Sequence, residues 1–190
     1  MSSPSSPGQI VIISGPSGVG KTTIAHEMEK RLKGVFSVSM TTREQTVKDG
    51  RDYRFVTHEQ FQKELEQGNF LEWAEVFGQC YGTPQGPVDQ AVEEGKTIFL
   101  EIDVQGAIQV KTKRPEALAI FILPPDEPTL LKRLRERKRE SEEKIQKRFA
   151  EATREIGEAH ACGVYDHFVT NDDLAAAMDR AEQIIRDRKG

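Results

Sequence analysis

Eight residues near the start of the chain have the types and spacing of a loop that binds nucleotide phosphates. They are Gly15-Pro16-Ser17-Gly18-Val19-Gly20-Lys21-Thr22, which satisfies Gly-x-x-x-x-Gly-Lys-[Ser/Thr]. Glycines let successive backbone N–H groups point at phosphate oxygens, and the following helix start adds positive potential. Lys21 would reach the β- and γ-phosphates of a nucleoside triphosphate, and the Thr22 hydroxyl would bind Mg²⁺. A glycine-rich turn that binds nothing is disfavoured, because an apolar run precedes the loop and a helical composition follows it.

The loop leaves the reaction open, because switch GTPases, ATPases and small-molecule kinases all use it. Other strings are more specific: Ser37-Val38-Ser39-Met40-Thr41-Thr42-Arg43, Asp52-Tyr53-Arg54-Phe55-Val56, Phe70-Leu71-Glu72-Trp73-Ala74-Glu75-Val76, Tyr81-Gly82-Thr83, Leu100-Glu101-Ile102-Asp103-Val104-Gln105-Gly106 and Val169-Thr170-Asn171-Asp172-Asp173-Leu174. With them the chain, from about Gln9 to Arg186, closely resembles guanylate kinase, a nucleoside monophosphate kinase of the P-loop class. The resemblance implies transfer of the γ-phosphoryl group of ATP to GMP, and also dGMP, with Mg²⁺, giving ADP and GDP.

The resemblance also implies how guanine is distinguished. Glu72 matches the carboxylate that accepts from guanine N1–H and the N2 amino group, and Thr83 matches a hydroxyl that donates to O6. Ser39 matches another position of the base-binding lobe. Taken alone, Glu72 and Glu75 are equally well interpreted as solvated strand residues.

Three residues match groups that hold the GMP phosphate in the family, Arg43, Tyr53 and Tyr81. Glu101 and Asp103 match an acidic pair that orients guanosine or a Mg²⁺-bound water. Taken singly, Arg43 is more simply a surface charge, and the two tyrosines are core or surface aromatics. Glu101 is different, because a carboxylate in a predicted buried strand needs a partner.

One segment departs from the family pattern. The stretch from Glu44 to Gly50 is about two residues shorter than the usual one and lacks a second arginine for the GMP phosphate. Lys48 and Arg51 are the candidates to replace it. Without a replacement, we expect GMP to bind more weakly than in the family.

The resemblance places further cations on the ATP side. Arg137 and Arg148 match lid arginines that contact the triphosphate, and Arg133 matches one near adenine. Asn171 matches an adenine-side asparagine, and its alternative role is the N-cap of the last helix. The implied ATP site therefore comprises residues 15–22, Thr23, Arg133 and Asn171. The candidate catalytic residues are Lys21, Arg43, Arg137 and Arg148.

The basic run from Lys132 to Arg139 has six cations in eight positions. A solvated helix face and a nucleic-acid contact are its alternative interpretations, and the acidic residues that follow weaken the second. On one unbroken helix, Arg137 and Arg148 would sit about 16 Å apart, too far to hold one triphosphate. We therefore expect a helix break near Glu140, with Ser141 as the N-cap of a second helix.

Strand–helix alternation at both ends predicts an α/β fold with a parallel sheet covered by helices. The expected core spans 9–35, 95–125 and 160–190, with an inserted mixed α/β GMP-binding lobe at about 36–94 and a helical lid at about 126–159. The Ser/Pro-rich residues 1–8 predict a disordered leader. Within the lobe, Phe36–Met40 predicts one strand, and Thr57 with Gln60 has capping-box spacing at a helix start.

Composition restricts the function classes. The chain has 190 residues, 27 basic and 31 acidic, for a net charge of −4, which argues against general nucleic-acid binding. No apolar run is long enough to cross a membrane, and the first residues do not form a secretory signal. Cys80 and Cys162 show no metal or disulfide spacing, so a cytoplasmic location is expected.

The expected partners are ATP and GMP, in a monomer or homodimer. Two other functions remain open, a catalytically silent protein-binding module and a related ribose-phosphate kinase.

Overall fold

The computed structural model describes residues 8–45, 51–76, 78–136 and 141–189. Its strands are β1 (Gln9–Ser14), β2 (Val35–Phe36), β3 (Ser39–Thr41), β4 (Tyr53–Phe55), β5 (Phe70–Val76), β6 (Gln79–Pro84), β7 (Thr97–Glu101), β8 (Leu118–Leu123) and β9 (His167–Thr170). Its helices are α1 (Lys21–Arg31), α2 (His58–Glu66), α3 (Gln85–Glu93), α4 (Val104–Lys113), α5 (Glu127–Glu136), α6 (Glu142–Cys162) and α7 (Leu174–Lys189).

Five strands form a parallel sheet in the order β2-β7-β1-β8-β9. The central strand β1 is buried on both faces, as its continuous apolar run requires. Val11 and Ile13 pack in a cluster with residues of α1 and α7, whereas Ile10 and Ile12 pack with residues of α3 and α4. This layered arrangement confirms the predicted α/β fold, and it brings the ends of β1 and β7 together at one edge of the sheet.

A second, mixed sheet of four strands has the order β4-β3-β6-β5. Helix α2 packs on it through Phe61, which stacks on Phe70 with ring centroids 4.6 Å apart. The predicted capping box starts this helix: the Thr57 hydroxyl accepts from the Gln60 amide at 3.2 Å, and the Gln60 side chain accepts from the Thr57 amide at 2.9 Å. Capping therefore fixes where the chain turns into α2.

The pairing of β5 with β6 contains a shift in register. Phe70 pairs with Pro84, but Glu72 pairs with Thr83, so Leu71 is an extra residue in β5. Such a bulge changes which face of a sheet the following side chains occupy. As a result Phe70, Leu71 and Glu72 are all buried.

The prediction of one strand over Phe36–Met40 is wrong. The chain leaves the parallel sheet after Phe36 and enters the second sheet at Ser39, with Val38 exposed between them. Phe36 and Met40 are both buried, but in the cores of different sheets. The alternation of apolar and polar residues therefore reflects two short strands rather than one.

Helices α5 and α6 share a small apolar cluster formed by Leu130, Leu134, Ile145 and Ala152. Ser141 has extended backbone angles, and its hydroxyl accepts from the Lys144 amide at 3.5 Å, so α6 starts as a separate helix, as predicted. Arg137 and the expected break at Glu140 lie outside the described residues, as do residues 1–7 of the expected leader. The proposed lobe and lid boundaries stay predictions.

In the described part of the chain, no helix has the length and apolar character that a membrane span needs. Cys80 and Cys162 are both free thiols.

Candidate active site

The phosphate loop connects the end of β1 to the start of α1, the context that its motif requires. Its backbone needs glycine at two positions where a side chain would collide. A Cβ on Gly15 would lie 2.6 Å from the Ile122 carbonyl oxygen, and one on Gly20 would lie 2.8 Å from the side-chain nitrogen Nδ2 of Asn171. Both glycines also have positive φ angles, 152° and 94°. The loop is therefore held tightly between β8 and the segment after β9.

Glu101 lies at the end of β7, directly beside the phosphate loop. The Thr22 hydroxyl donates to a Glu101 carboxylate oxygen at 2.9 Å, and the Lys21 ammonium nitrogen is 4.0 Å from the same oxygen. Parallel pairing of Ile13 with Glu101 brings the two strand ends together. The partner that the Glu101 carboxylate needs is thus supplied by the first turn of α1.

The chemistry of this donor set fits Mg²⁺. Thr22, Glu101 and Asp103 offer hydroxyl and carboxylate oxygens, the ligands that Mg²⁺ prefers. Asp103 also accepts from the Gly106 amide at 2.7 Å and so caps α4. Among the described residues, no three acidic, histidine or cysteine side chains form a metal-binding group. Mg²⁺ in proteins commonly takes one or two protein ligands and completes its coordination with water and substrate phosphates.

Glu72 and Thr83 form a buried polar pair on the second sheet. Their residues are 4% and 1% exposed, and the Thr83 hydroxyl donates to a Glu72 carboxylate oxygen at 2.5 Å. Burial, above all, raises the pKa of Glu72 to about 7, although the hydrogen bond from Thr83 opposes the shift. Interpretation of Glu72 as a solvated residue is therefore wrong, whereas Glu75 on the same strand is exposed.

Helix α4 approaches this pair closely through a glycine. A Cβ on Gly106 would lie 2.7 Å from the second Glu72 carboxylate oxygen. The Lys113 ammonium group, at the other end of α4, donates to the carbonyl oxygens of Phe70 and Leu71 at 3.2 and 2.6 Å. Helix α4 therefore fixes both the strand that carries Glu72 and the space around its carboxylate.

Arg43, Tyr53 and Tyr81 come together on the second sheet, where Tyr81 lies two residues before Thr83 on β6. The Arg43 guanidinium carbon lies 5.3 Å from the Tyr53 ring centroid, and the two tyrosine rings meet edge to face at 6.2 Å. Burial, above all, raises the pKa of Tyr53 to about 12, so its hydroxyl is a donor at neutral pH. Ser39, the partner of Tyr53 in the β3–β4 pairing, lies beside them. These groups can donate to one anion.

Lys48 and Arg51 are the two candidates to replace the missing second arginine for the GMP phosphate, and the structure describes only one of them. The Arg51 guanidinium forms an ion pair with Glu29 on α1. Lys48 lies outside the described residues. Arg51 is therefore engaged with the phosphate-loop helix in this structure.

The ATP-side residues converge on the phosphate loop from three directions. Arg148 of α6 donates to the Ser17 hydroxyl, and Arg133 of α5 donates to the Asn171 carbonyl oxygen at 3.0 Å. The buried Asn171 side chain donates to the Val19 carbonyl oxygen at 2.8 Å. Thr23 follows the loop in the exposed first turn of α1. Helices α5 and α6 and the segment after β9 thus meet at the loop.

The alternative role of Asn171 as a helix N-cap is wrong. Helix α7 begins at Leu174, and the Asp173 carboxylate accepts from the Ala176 amide at 2.8 Å. Asp173 is therefore the capping residue, and it leaves the Asn171 side chain for the phosphate loop.

Sequence reasoning missed Glu155, which lies on α6 two turns beyond Arg148. Burial, above all, raises the pKa of Glu155 to about 7, and the charge of Lys21 opposes this shift. The signal was its seven-residue spacing from Arg148, which places both side chains on one face of a helix.

Comparison with known proteins shows to which family the chain is similar. A family model described as guanylate kinase matches residues 7–188. A guanylate kinase of Carboxydothermus hydrogenoformans is 45% identical over 185 residues, which cover 96% of this chain and 89% of the relative. One of Anaeromyxobacter dehalogenans is 45% identical over 184 residues, with coverages of 95% and 80%.

A solved structure gives the same result for the fold. The crystal structure of guanylate kinase from Anaplasma phagocytophilum superimposes with a TM-score of 0.79 at 33% identity, covering 97% of this chain and 87% of that one. Similarity in sequence and fold extends over both sheets and over α5 and α6, and on this basis the chain belongs to the guanylate kinase family.

Proposed function

We propose that this chain transfers the γ-phosphoryl group of ATP to GMP, giving ADP and GDP. Family membership supports this activity, since its relatives bear the name guanylate kinase. The observation that carries the proposal is the buried pair of Glu72 and Thr83. A carboxylate acceptor beside a hydroxyl donor complements the N1–H, N2 amino and O6 groups of guanine, and its burial makes an unpaired substrate edge costly.

The two substrates would meet at the end of β7. Lys21 and the backbone N–H groups of the phosphate loop would hold the ATP phosphates, while Arg43, Tyr53 and Tyr81 would hold the phosphate of GMP. Glu101 and Asp103 lie at the end of β7. We assign them to the guanosine side. A GMP phosphate oxygen then attacks the γ-phosphorus, and the bond from phosphorus to the β–γ bridging oxygen breaks.

Catalysis requires dispersed positive charge rather than a strong base. Lys21 contributes one charge from the loop, and Arg148, whose guanidinium reaches Ser17, contributes a second from α6. Arg137 is assigned the same role by its match to the family. Arg133 and Asn171 are assigned to the adenine side.

Mg²⁺ is proposed as the cofactor, with the Thr22 hydroxyl as a direct ligand and Asp103 as a ligand through water. When bound, the ion would neutralise charge on the phosphates. Thr22 would exchange its bond to Glu101 for the ion.

Neither alternative function is favoured. A silent protein-binding module would not need residues that bind and activate nucleotide phosphates, and Lys21, Thr22 and Arg148 are all in place. A ribose-phosphate kinase would not need a buried carboxylate–hydroxyl pair. Use of dGMP, a cytoplasmic location and a monomeric or homodimeric state stay predictions from the sequence.

A coupled ADP-release assay with ATP and a panel of acceptors tests the proposal. We expect turnover with GMP and dGMP, and far less with AMP or ribose phosphates. Preference for a ribose phosphate would overturn the guanine assignment. If the protein is folded but releases no ADP with any acceptor in the panel, the result would support the silent protein-binding module.

A further inference from the structure

A charged contact joins α1 to the segment that enters β4. His26 lies on α1, one turn after Lys21 and Thr22, and its Nε2 atom is 3.0 Å from the Asp52 carboxylate. Its Nδ1 atom is 3.4 Å from Glu29 on the same helix. Helix α1 is therefore linked to Asp52, which directly precedes the edge strand β4 of the second sheet.

Glu29 extends this contact in two directions. Its carboxylate accepts from the Phe36 amide at 3.3 Å and pairs with Arg51. The His26 ring stacks on Phe36 with centroids 4.4 Å apart. We call the group of His26, Glu29, Arg51 and Asp52 the α1–β4 cluster. The His26, Glu29 and Asp52 side chains are only 31%, 16% and 21% exposed, so the two contacts of His26 are less screened than ordinary surface pairs. The Arg51 side chain is 70% exposed, so its pair with Glu29 is more strongly screened.

The cluster bears directly on Tyr53. Asp52 immediately precedes it, and the Asp52 carbonyl oxygen accepts from the Ser39 amide at 3.2 Å. Tyr53 in turn contacts Arg43 and Tyr81. A bond that fixes Asp52 therefore fixes the backbone from which the Tyr53 side chain extends.

We propose that His26 is a positioning residue for the acceptor phosphate. By holding Asp52, it fixes Tyr53 and its neighbours relative to the helix that carries Lys21, and so sets the approach of the acceptor phosphate to the donor phosphates. This inference rests on the proposed function, because it takes Tyr53 to bind the phosphate of GMP. It also gives Arg51 a role in the cluster, through Glu29.

The contact depends on the protonation of the imidazole. Only the protonated ring donates from both nitrogens, which face two carboxylates. Burial alone would lower the pKa of His26, but its hydrogen bonds with Asp52 and Glu29 outweigh burial and raise the pKa above 6.5. The charged groups that face the ring in the described structure are Glu29 on its own helix and Asp52 before β4, with Arg51 behind Glu29. The contact is therefore complete at low pH and weakens as pH rises through the pKa of His26.

Steady-state kinetics with His26→Leu and His26→Gln test the inference. The leucine variant loses both bonds, and we expect its KM for GMP to rise roughly threefold to tenfold, the factor of a partly exposed charge-assisted bond. Its KM for ATP should stay unchanged. Glutamine keeps a donor near the position of Nε2, so it should restore most of the GMP affinity while removing the alkaline rise in KM that the titration of His26 is expected to contribute in the native protein.

Matched variants separate this role from general structure. Arg31→Gln breaks ion pairs between the same helix and α7, and it should leave the KM for GMP unchanged. Asp52→Asn combined with His26→Leu should be no worse than His26→Leu alone, since the contact that the asparagine weakens is already lost. Unchanged GMP kinetics in a folded His26→Leu variant would overturn the inference, as would equal losses for ATP and GMP. Should the leucine variant not fold, a native-like alkaline rise in the His26→Gln variant would overturn it.

Tyr53→Phe distinguishes failure of this inference from failure of the proposed site. If Tyr53→Phe raises the KM for GMP and His26→Leu does not, only the positioning role is wrong. If Tyr53→Phe leaves GMP kinetics unchanged, the proposed phosphate subsite fails, and the inference fails with it.

Discussion

At the scale of single residues, the Glu72 carboxyl has an unusual environment for an acid. It is buried, it has one close hydroxyl partner, and its pKa is raised to about 7. Guanine offers the donors that a buried carboxylate lacks. In the proposed site, binding of the base would offset the energetic cost of this buried carboxyl, and that would favour guanine over bases without these donors.

The first prediction is a loss of GMP recognition in Glu72→Gln. The amide keeps the shape of the side chain but can present its NH₂ group to guanine donors, so we expect the KM for GMP to rise roughly tenfold or more. The KM for ATP should change little. Glu75→Gln is the matched control, because Glu75 is on the same strand and exposed. Equal GMP kinetics in the two variants would show that Glu72 does not contact the base.

The second prediction concerns pH. Below about pH 7 the Glu72 carboxyl is mostly protonated in the free protein, and a protonated carboxyl cannot accept from both guanine donors. The KM for GMP should therefore rise as pH falls from about 8 to about 6, opposite in direction to the effect of His26. GMP phosphate also titrates near pH 6, and the Glu72→Gln profile corrects for this. Parallel profiles for the two proteins would contradict the prediction.

At the scale of elements, a glycine in α4 lets this helix pack closely against β5, although the same glycine lowers the stability of the helix. Glycine inside a helix costs about 1 kcal/mol relative to alanine, and Gly106 is a buried residue of α4. Its missing Cβ leaves the space that a Glu72 carboxylate oxygen occupies. The geometry of the base site is therefore built into the helix as well as the strand.

The third prediction follows from this packing. Gly106→Ala should displace the Glu72 carboxylate and raise the KM for GMP severalfold, with the fold retained. Gly157→Ala on α6 is the control, because a Cβ there meets nothing within 4 Å, and it should stabilise the protein by about 1 kcal/mol in urea unfolding. Unaltered GMP kinetics in Gly106→Ala would mean that the carboxylate position is not critical.

Elements with local signals were predictable, and long-range contacts were not. The phosphate loop, the capping box at Thr57 and the start of α6 at Ser141 each depend on a few adjacent residues. The division of Phe36–Met40 between two sheets depends on partners far along the chain. The bond from His26 to Asp52 spans 26 residues and had no sequence signal. Asn171 was open to two interpretations, because Asn and Asp both cap helices well and Asp173 follows it closely.

At the scale of the whole molecule, the donor and acceptor sites are built by different sheets. The phosphate loop belongs to the parallel sheet, and the candidate base and phosphate contacts of GMP belong mainly to the mixed sheet. Helix α1, which follows the phosphate loop, contacts the segment before β4 through the α1–β4 cluster. Damage to one site should therefore leave the other largely able to bind.

The fourth prediction is that Lys21→Met reduces turnover but leaves GMP binding intact. Methionine keeps the side-chain length but removes the charge that contacts the donor phosphates, so turnover should fall by at least ~10²-fold. The thermal stabilisation produced by GMP alone should persist, since it reports the acceptor site. Lys30→Met on the exposed end of α1 is the control. Near-normal turnover in a folded Lys21→Met variant would refute the phosphate-loop assignment.

The extra residue at Leu71 has a consequence for how β5 can change during evolution. It places Glu72, rather than Leu71, opposite Thr83, and it leaves Leu71 to pack in the core of the parallel sheet. Loss of Leu71 would leave Glu72 opposite Thr83, because Phe70 and Glu72 would then pair with the consecutive residues Pro84 and Thr83. Such a deletion should therefore lower the free energy of unfolding before it alters acceptor choice, since a buried leucine would be lost. Lineages that keep the activity should accept a shorter β5 only where other apolar side chains fill the space of Leu71.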